Sequence, residues 1–220
     1  MDGDDEDTSR QSDAQLLRRW QTGDAAAGEA LVVRHYLGLK KFFINAVNDE
    51  AARDLTQETL LKLTDKRTQF EFRSSVKTYL FRIARYTLYD FIKKKRRGRF
   101  EPLEHSVIDQ AALRPSELVG RIRSHSALLD HIRALPVETK QLLELYYWQD
   151  FTARELAEIF ELKETTLKAR IYEARDKLAK AMRAGSSSAL ATVEIEAELR
   201  ELGKLFEQGP PLDPTQRIER

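Results

Sequence analysis

Hydrophobic side chains recur along the chain at intervals of three and four residues, the spacing that places them on one face of an α-helix. The first such stretch holds Leu16, Leu17 and Trp20, and it follows Ser12, which can form a capping box with Gln15. No stretch alternates polar and apolar residues for long enough to predict a β-strand. The pattern therefore predicts an all-α protein.

The predicted helices fall into two groups, separated by a segment of weak periodicity that contains Pro102 and Pro115. The first residues of the chain are acidic and nearly devoid of large apolar side chains, which is typical of a disordered tail. We expect two small helical domains joined by a linker, with one more helix near the C-terminus. The predicted divisions are a tail at 1–11, a first domain at 12–98, a linker at 99–122, a second domain at 123–184 and an extension at 185–220.

Within the first domain, the mostly polar residues 65–73 predict a loop. Ser74 or Ser75 is positioned to cap the long helix that follows. That helix runs into the basic stretch 93–97, and Gly98 is suited to end it.

Composition limits the classes of protein to which the chain can belong. With no cysteine among its 220 residues, it can form no disulfide, no cysteine-ligated zinc site and no cysteine nucleophile. The acidic N-terminus lacks the basic and apolar segments of a signal peptide. No apolar run approaches the ~20 residues that span a bilayer. We therefore expect a cytoplasmic protein with no membrane insertion.

The net charge of +1 hides two clusters of basic residues. Between Arg73 and Arg99 ten basic residues accompany one acidic residue, and between Lys163 and Arg183 seven accompany three. Clustered positive charge of this kind is typical of proteins that bind nucleic acid. Because the clusters lie in different predicted domains, we expect two separate contacts with nucleic acid.

The second basic cluster lies on a helix-turn-helix pattern over residues 153–182. Thr152 and Glu155 can form a capping box at the start of a short helix, and a tight turn leads to a longer helix with one apolar stripe. Such a second helix can enter the major groove of duplex DNA. A helical hairpin with a solvated charged face is the alternative that the pattern leaves open. The side chains predicted to face the duplex are Thr165, Thr166, Lys168, Ala169, Tyr172 and Glu173.

Aromatic and basic side chains are interleaved on the long helix of the first domain and just before it. Rings can stack on unpaired bases, while lysine and arginine hold the phosphates. Tyr79 and Phe72 fit a place in the core equally well, and the basic run is also consistent with a solvated helix end. The surface predicted to bind single-stranded DNA consists of Phe70, Tyr79, Arg82, Tyr86 and Lys93.

Six short motifs follow one another within residues 13–183. They are Gly23-Asp24, Asp54-Leu55-Thr56-Gln57-Glu58-Thr59-Leu60, Tyr79-Leu80-Phe81-Arg82-Ile83-Ala84-Arg85, Leu135-Pro136, Glu155-Leu156-Ala157 and Thr166-Leu167-Lys168-Ala169-Arg170. In this order and spacing they resemble the sigma-70 family, specifically the small extracytoplasmic-function (group IV) sigma factors. The resemblance implies a helical two-domain factor that lends promoter recognition and DNA opening to RNA polymerase.

The resemblance also implies partners and roles for individual residues. The partners are core RNA polymerase, through its β′ clamp and β flap, and promoter DNA, with an anti-sigma factor as a further candidate. The residues implied to dock on the polymerase clamp are Asp54, Gln57, Glu58 and Leu61. The residues implied to form the pocket for a flipped base of the −10 element are Phe70, Tyr79, Arg82, Tyr86 and Lys93. The −35 element is read by Thr165, Thr166, Lys168, Ala169, Tyr172 and Glu173, with Arg170 and Arg175 on phosphates.

The chain departs from the family pattern at several of these positions. Tyr86 stands where asparagine is usual, and Tyr79 stands where tryptophan is common. Glu161 and Thr165 replace glycines that are common in the turn, and Glu173 replaces a frequent arginine. These departures fall on the residues that set promoter preference and turn geometry. The extension at 185–220 has no counterpart in a minimal member, and it is either a regulatory segment or a helix that caps the second domain.

Two other classes of protein remain as alternatives. One is a helix-turn-helix regulator that does not bind polymerase, and the other is an anti-sigma-responsive adaptor without promoter-opening activity. An enzyme is disfavoured, because the four histidines show no metal-ligand spacing and no glycine-rich phosphate loop is present. We expect no catalytic residue, no metal site and no cofactor.

Overall fold

The computed structural model describes residues 11–98, 126–185 and 192–207. Every regular element within these ranges is a helix, which confirms the all-α expectation. The predicted linker at 99–122 lies outside the described residues, as does nearly all of the predicted tail. In chain order the helices are α1 (Asp13–Gln21), α2 (Ala25–Ile44), α3 (Asp49–Lys66), a 3₁₀ turn (Arg67–Gln69), α4 (Val76–Gly98), α5 (Ser126–Ala134), α6 (Val137–Trp148), α7 (Ala153–Phe160), α8 (Glu164–Gly185) and α9 (Thr192–Glu207).

Polar side chains begin these helices at the positions that the sequence indicates. The backbone N–H of Ser12 donates to Gln15 Oε1 at 2.8 Å, and the Gln15 N–H donates to Ser12 Oγ at 3.3 Å, which completes the predicted capping box. At α4 the N–H of Thr78 donates to Ser75 Oγ at 2.9 Å, so Ser75 rather than Ser74 is the cap. Each contact satisfies backbone donors that the first turn of a helix leaves without partners.

The predicted loop at 65–73 was wrong in its first half. Helix α3 continues to Lys66, and the 3₁₀ turn follows it directly. Gln21 of α1 fixes this turn, because its Nε2 donates to the carbonyl oxygens of Arg67 at 2.6 Å and Phe70 at 3.1 Å. The order comes from a contact between residues far apart in the chain, which local periodicity does not reveal.

The chain divides into two compact units. Of the described residues, the first unit holds 11–98 and 151–167, and the second holds 126–150, 168–185 and 192–207. This grouping places α7 in the first unit, whereas the sequence assigns 123–184 to one domain.

The core of the first unit forms where α2, α3 and α4 pack together. The fully buried rings of Phe42 and Phe43 meet edge to face with centroids 5.2 Å apart, and Phe81 of α4 packs on Phe42 at 5.7 Å. Edge-to-face rings add a directional attraction to the burial of apolar area. This packing fixes the orientation of α4, and therefore decides which of its side chains face solvent.

The core of the second unit is built from α5, α6, α8 and α9. Ile195, Leu199 and Leu202 of α9 are completely buried in one cluster with Leu178 of α8. Trp148 at the end of α6 donates its indole N–H to the carbonyl oxygen of Leu199 at 2.9 Å. The C-terminal helix is thus part of the core of this unit.

Candidate functional site

Helix α3 presents one exposed polar face. Asp54, Gln57, Glu58 and Leu61 recur at intervals of three and four residues, and all four are exposed. Leu61 is 63% exposed although the opposite side of α3 is packed in the core. Leu61 thus adds apolar area to a face that is otherwise polar.

Glu58 is linked through Lys62 to the neighbouring helix. Lys62 Nζ lies 2.7 Å from Glu58 Oε1 and donates to Thr87 Oγ1 of α4 at 3.0 Å. The exposed face of α3 is therefore held in a fixed orientation relative to α4.

Three aromatic rings form a cluster at the start of α4. The ring centroid of Phe70 lies 4.9 Å from that of Phe72 and 4.7 Å from that of Tyr79. Phe70 is only 8% exposed, so in this structure it supports the other two rings rather than presenting a face of its own. Phe72 adopts a left-handed conformation with φ of 58°, and Arg18 lies 4.7 Å from the centroid of its ring.

The remaining side chains of the predicted single-strand surface follow along α4. Arg82 is half-buried, with its guanidinium 5.5 Å from the centroid of the Tyr79 ring. Tyr86 is 44% exposed, and Lys93, further along the helix, is also exposed. The helical spacing places these three side chains on the same side of α4 as Tyr79. Rings and cations are thus combined on one surface.

Helix α7 packs beside this surface of α4. Phe151, just before α7, meets Phe81 edge to face at 5.0 Å, and Arg85 lies 4.9 Å from the centroid of the Phe160 ring. Both phenylalanines are buried. Interaction with the Glu161 carboxylate, together with partial burial, raises the pKa of Tyr86 above its usual value.

The turn between α7 and α8 has the form that the helix-turn-helix pattern predicts. Thr152 and Glu155 form the predicted capping box, with the Thr152 N–H donating to Glu155 Oε2 at 2.9 Å. Glu161 ends α7 in a left-handed conformation with φ of 55°, and the N–H of Leu162 donates to the carbonyl oxygen of Ala157 at 3.0 Å. A residue other than glycine therefore adopts the left-handed conformation that ends many helices.

Helix α8 separates an apolar side from an exposed one. Leu167, Ile171, Ala174 and Leu178 are buried, as the apolar stripe predicts. Tyr172 is 58% exposed, so most of its ring is open to solvent. The other predicted duplex contacts that are exposed are Thr165, Thr166, Lys168, Ala169, Arg170 and Glu173.

Two arginines of α8 are engaged within the second unit. Arg170 Nη1 lies 3.2 Å from Glu138 Oε1 of α6. Arg175 forms an ion pair with Glu196 of α9, and its side chain is 20% exposed. Arg175 is therefore far less available than the side chains at the start of α8.

Two regions of one protein family are recognised in order along the chain. The model described as Sigma-70 region 2 matches residues 31–98, and the model described as Sigma-70, region 4 matches residues 125–178. The chain belongs to the sigma-70 family. It is an RNA polymerase sigma factor of the extracytoplasmic-function type.

The named relatives match this sigma factor over most of their own length. The RNA polymerase sigma-H factor of Pseudomonas aeruginosa is 25% identical over 79% of this chain and 95% of its own. The ECF RNA polymerase sigma-E factor of Haemophilus influenzae is 25% identical over 76% of this chain and 93% of its own. Among solved structures, CnrH in complex with the cytosolic domain of CnrY covers 80% of this chain and all of its own, with 20% identity and a TM-score of 0.59. The last comparison shows a shared fold.

Three contacts of this sigma factor were not predicted from its sequence. They are the packing of Phe151 on Phe81, the interaction of Glu161 with Tyr86, and the ion pair between Arg175 and Glu196. The departures from the family pattern at 86 and 161 were a signal for the second contact. Nothing in the local sequence indicated the other two.

The described residues of this sigma factor contain no candidate metal site and no candidate membrane-spanning helix. In that part of the chain, no group of three or more histidines and carboxylates could hold a metal ion. No described helix is long and apolar enough to cross a membrane.

Proposed function

We propose that this sigma factor divides promoter recognition among three helices: α3 binds core RNA polymerase, α4 binds the unpaired −10 strand and α8 reads the −35 duplex. The observation that carries this proposal is the exposed side of α8, where almost every predicted duplex contact is open to solvent while the apolar stripe is buried. None of these tasks requires a catalytic group, and we propose that the protein has none.

The start of α8 provides the chemistry for a major groove. Thr165 and Thr166 lie in its first turn, where hydroxyl groups and backbone N–H groups can bind phosphate. Lys168 and Tyr172 follow on the exposed side. Glu173 can accept a hydrogen bond from cytosine N4, which favours a different base from the one that an arginine there would select.

The surface on α4 provides stacking and charge for a single strand. Tyr79 and Tyr86 offer rings on which bases can stack, an interaction worth about 1–3 kcal/mol per base. Arg82 and Lys93 stand beside them and can hold the phosphates. Extruding a base from the duplex costs a few kcal/mol, which this stacking can offset.

The exposed face of α3 is the proposed contact with the β′ clamp. Leu61 provides the apolar area, and Asp54, Gln57 and Glu58 surround it with polar groups. The β flap is the proposed contact of the second domain. An anti-sigma factor is a further candidate partner, since the related sigma factor RpoE of Bartonella quintana was solved with the anti-sigma factor NepR.

The Lys168→Ala variant tests the role of α8. We expect weaker binding to a −35 duplex, because one lysine–phosphate or lysine–base contact is lost, and a salt dependence of log K that is shallower by about one. Fluorescence anisotropy across a series of salt concentrations measures both quantities on promoter DNA selected with the reconstituted holoenzyme. The matched control is Lys177→Ala, which removes an exposed lysine further along α8. Equal effects of the two variants would contradict the proposed reading face.

A further inference from the structure

Helix α1 contacts the segment that carries the aromatic cluster. Gln21 is the last residue of α1, and its Nε2 donates to the carbonyl oxygens of Arg67 at 2.6 Å and Phe70 at 3.1 Å. Arg18 lies 4.7 Å from the centroid of the Phe72 ring. Because Arg18 and Gln21 are three residues apart, they share one face of α1. This face therefore contacts both the 3₁₀ turn and the residues that follow it.

Helix α1 is itself fixed on α2. Leu16 is completely buried, and His35 Nε2 of α2 lies 2.6 Å from Asp13 Oδ2. At Gly28 of α2 an added Cβ atom would lie 2.5 Å from the Trp20 indole, so the two helices are in close contact. Helix α1 thus provides a firm support for the segment that it contacts.

Phe72 depends on this support. Its φ of 58° is a conformation that residues other than glycine rarely adopt, so tertiary contacts rather than local preference must hold it. Arg18 lies against its ring, and the ring of Phe70 lies 4.9 Å away. The carbonyl oxygen of Phe70 is in turn bound by Gln21. The position of the Phe72 ring is therefore set largely from α1.

Arg18 differs from the arginine next to it. Arg19 pairs with Asp24 at 2.7 Å, whereas Arg18 is exposed and pairs with no carboxylate among the described residues. A guanidinium that lies over a ring can still donate hydrogen bonds from its edge. Arg18 is therefore available to an anion that approaches Phe72.

Rings and cations form a continuous row across the site. The row runs from Arg18 and Phe72 to Phe70, then to Tyr79 at 4.7 Å, and Arg82 lies 5.5 Å from the centroid of the Tyr79 ring. A cation thus stands at each end of the row. Unpaired bases and the phosphates that flank them require this combination of groups.

We propose that α1 extends the single-strand surface of α4: Arg18 binds a phosphate of the unpaired −10 strand, and Gln21 positions the 3₁₀ turn so that Phe72 lies beside the bases. This inference rests on the proposed binding of the −10 strand by α4. The match to region 2 begins at residue 31, so α1 lies before it. Gln21 is a positioning residue, because it acts on the strand only through the turn that it holds.

The Arg18→Gln variant tests the phosphate contact in the holoenzyme formed by core polymerase and the full chain. The probe is a fluorescein-labelled oligonucleotide that carries the non-template −10 strand of a promoter selected with the wild-type holoenzyme. We expect the slope of log K against log salt concentration to become shallower by about 0.7, the value for one phosphate of a single strand. At about 0.15 M salt this corresponds to binding that is about threefold to fivefold weaker.

Two further variants show whether the charge at this position is responsible. Arg18→Lys keeps the charge and should keep the wild-type slope. Lys41→Gln is the matched control, since it removes one exposed positive charge from α2, and it should bind like wild type. A wild-type slope for Arg18→Gln, or the same change in Lys41→Gln, would contradict the phosphate contact.

The Gln21→Leu variant tests the positioning role, because leucine is similar in size but cannot donate to the two carbonyl oxygens. Four oligonucleotides that differ only in the base proposed to flip give the base preference, the ratio of the strongest to the weakest affinity. We expect this ratio to fall by about twofold to tenfold, the range that corresponds to one lost hydrogen bond.

The Asn48→Ala variant is the control for a loss of stability alone. It removes the side-chain oxygen that accepts from the Ala51 N–H at 3.0 Å, at the opposite end of α3 from the turn. Thermal unfolding should detect destabilisation in both variants, and only Gln21→Leu should change the base preference. An unchanged preference in Gln21→Leu would show that Gln21 serves the fold alone and would overturn its positioning role.

The Tyr86→Ala variant in the same binding assay separates this inference from the proposed role of α4. Weaker binding by Tyr86→Ala, together with wild-type behaviour of Arg18→Gln and Gln21→Leu, would overturn the inference and leave the role of α4 in place. Wild-type binding by Tyr86→Ala, or no binding of the oligonucleotide by the wild-type holoenzyme, would overturn the role of α4 and the inference with it.

Discussion

Gly203 lies at a close approach of α9 to α6. A Cβ atom added there would lie 2.6 Å from Cδ1 of Trp148 and 3.1 Å from the carbonyl oxygen of Tyr147. Trp148 cannot move aside without disturbing its hydrogen bond to the Leu199 carbonyl. The absence of a side chain at 203 therefore allows the two helices to pack as they do.

We expect Gly203→Ala to lower the free energy of unfolding of the second unit by about 1–3 kcal/mol, the usual cost of overpacking. The effect has this sign even though alanine favours a helix over glycine by about 1 kcal/mol at an open position. Thermal and urea unfolding, followed by circular dichroism, measure the change. Lys204→Ala at the exposed neighbouring position is the control, with an expected change within about 0.5 kcal/mol. A Gly203→Ala protein as stable as wild type would contradict the close approach.

Helix α9 lies in the extension at 185–220, for which the sequence leaves a regulatory and a capping role open. Its side chains at 195, 199 and 202 are completely buried, so it caps and completes the core of the second unit. The same helix also carries Glu196, which pairs with Arg175 of α8 and lies 3.2 Å from Arg200. A packing role therefore does not exclude an effect on DNA binding.

Replacing Glu196 by glutamine tests that effect without disturbing the buried face. If Arg175 contacts a phosphate as proposed, Glu196→Gln should free it, raise the affinity for a −35 duplex and make the salt dependence of log K steeper by about one. Anisotropy at several salt concentrations measures both changes, with Glu198→Gln on the same helix as the control. An unchanged affinity and salt dependence would assign Arg175 to the structure of the second unit alone.

The helices follow from local sequence far better than their contacts do. The caps at Ser12 and Thr152 and the buried stripe of α8 depend on residues within a few positions of one another, and all were predicted. The 3₁₀ turn held by Gln21 and the packing of Phe151 on Phe81 join residues that are distant in the chain. Periodicity contains no information on such pairs.

The candidate site shows the same division between what can and cannot be predicted. Exposure on α3 and on the start of α8 follows from helical spacing, so the positions of Gln57 and Lys168 were predictable. The burial of Phe70 was not predictable from helical spacing, because it depends on the packing of the Phe72 and Tyr79 rings against it. Aromatic residues can serve a core or a ligand equally well, and only packing decides between them.

At the scale of the whole molecule, the two family regions and the two compact units do not coincide. The region 4 match covers 125–178, whereas residues 151–167 belong to the first unit. Helix α7 is thus part of region 4 by sequence and part of the first unit by packing.

Transcription by core RNA polymerase reconstituted with the purified chain is the most direct test of its function as a sigma factor. Core enzyme from the bacterium that carries this chain, supplied with fragments of its genome, should start transcripts at defined promoters only when the chain is added. Lys168→Ala should reduce these transcripts, and Lys177→Ala should leave them near the wild-type level. Transcription no higher than that of core enzyme alone on every genomic promoter would contradict the proposed function.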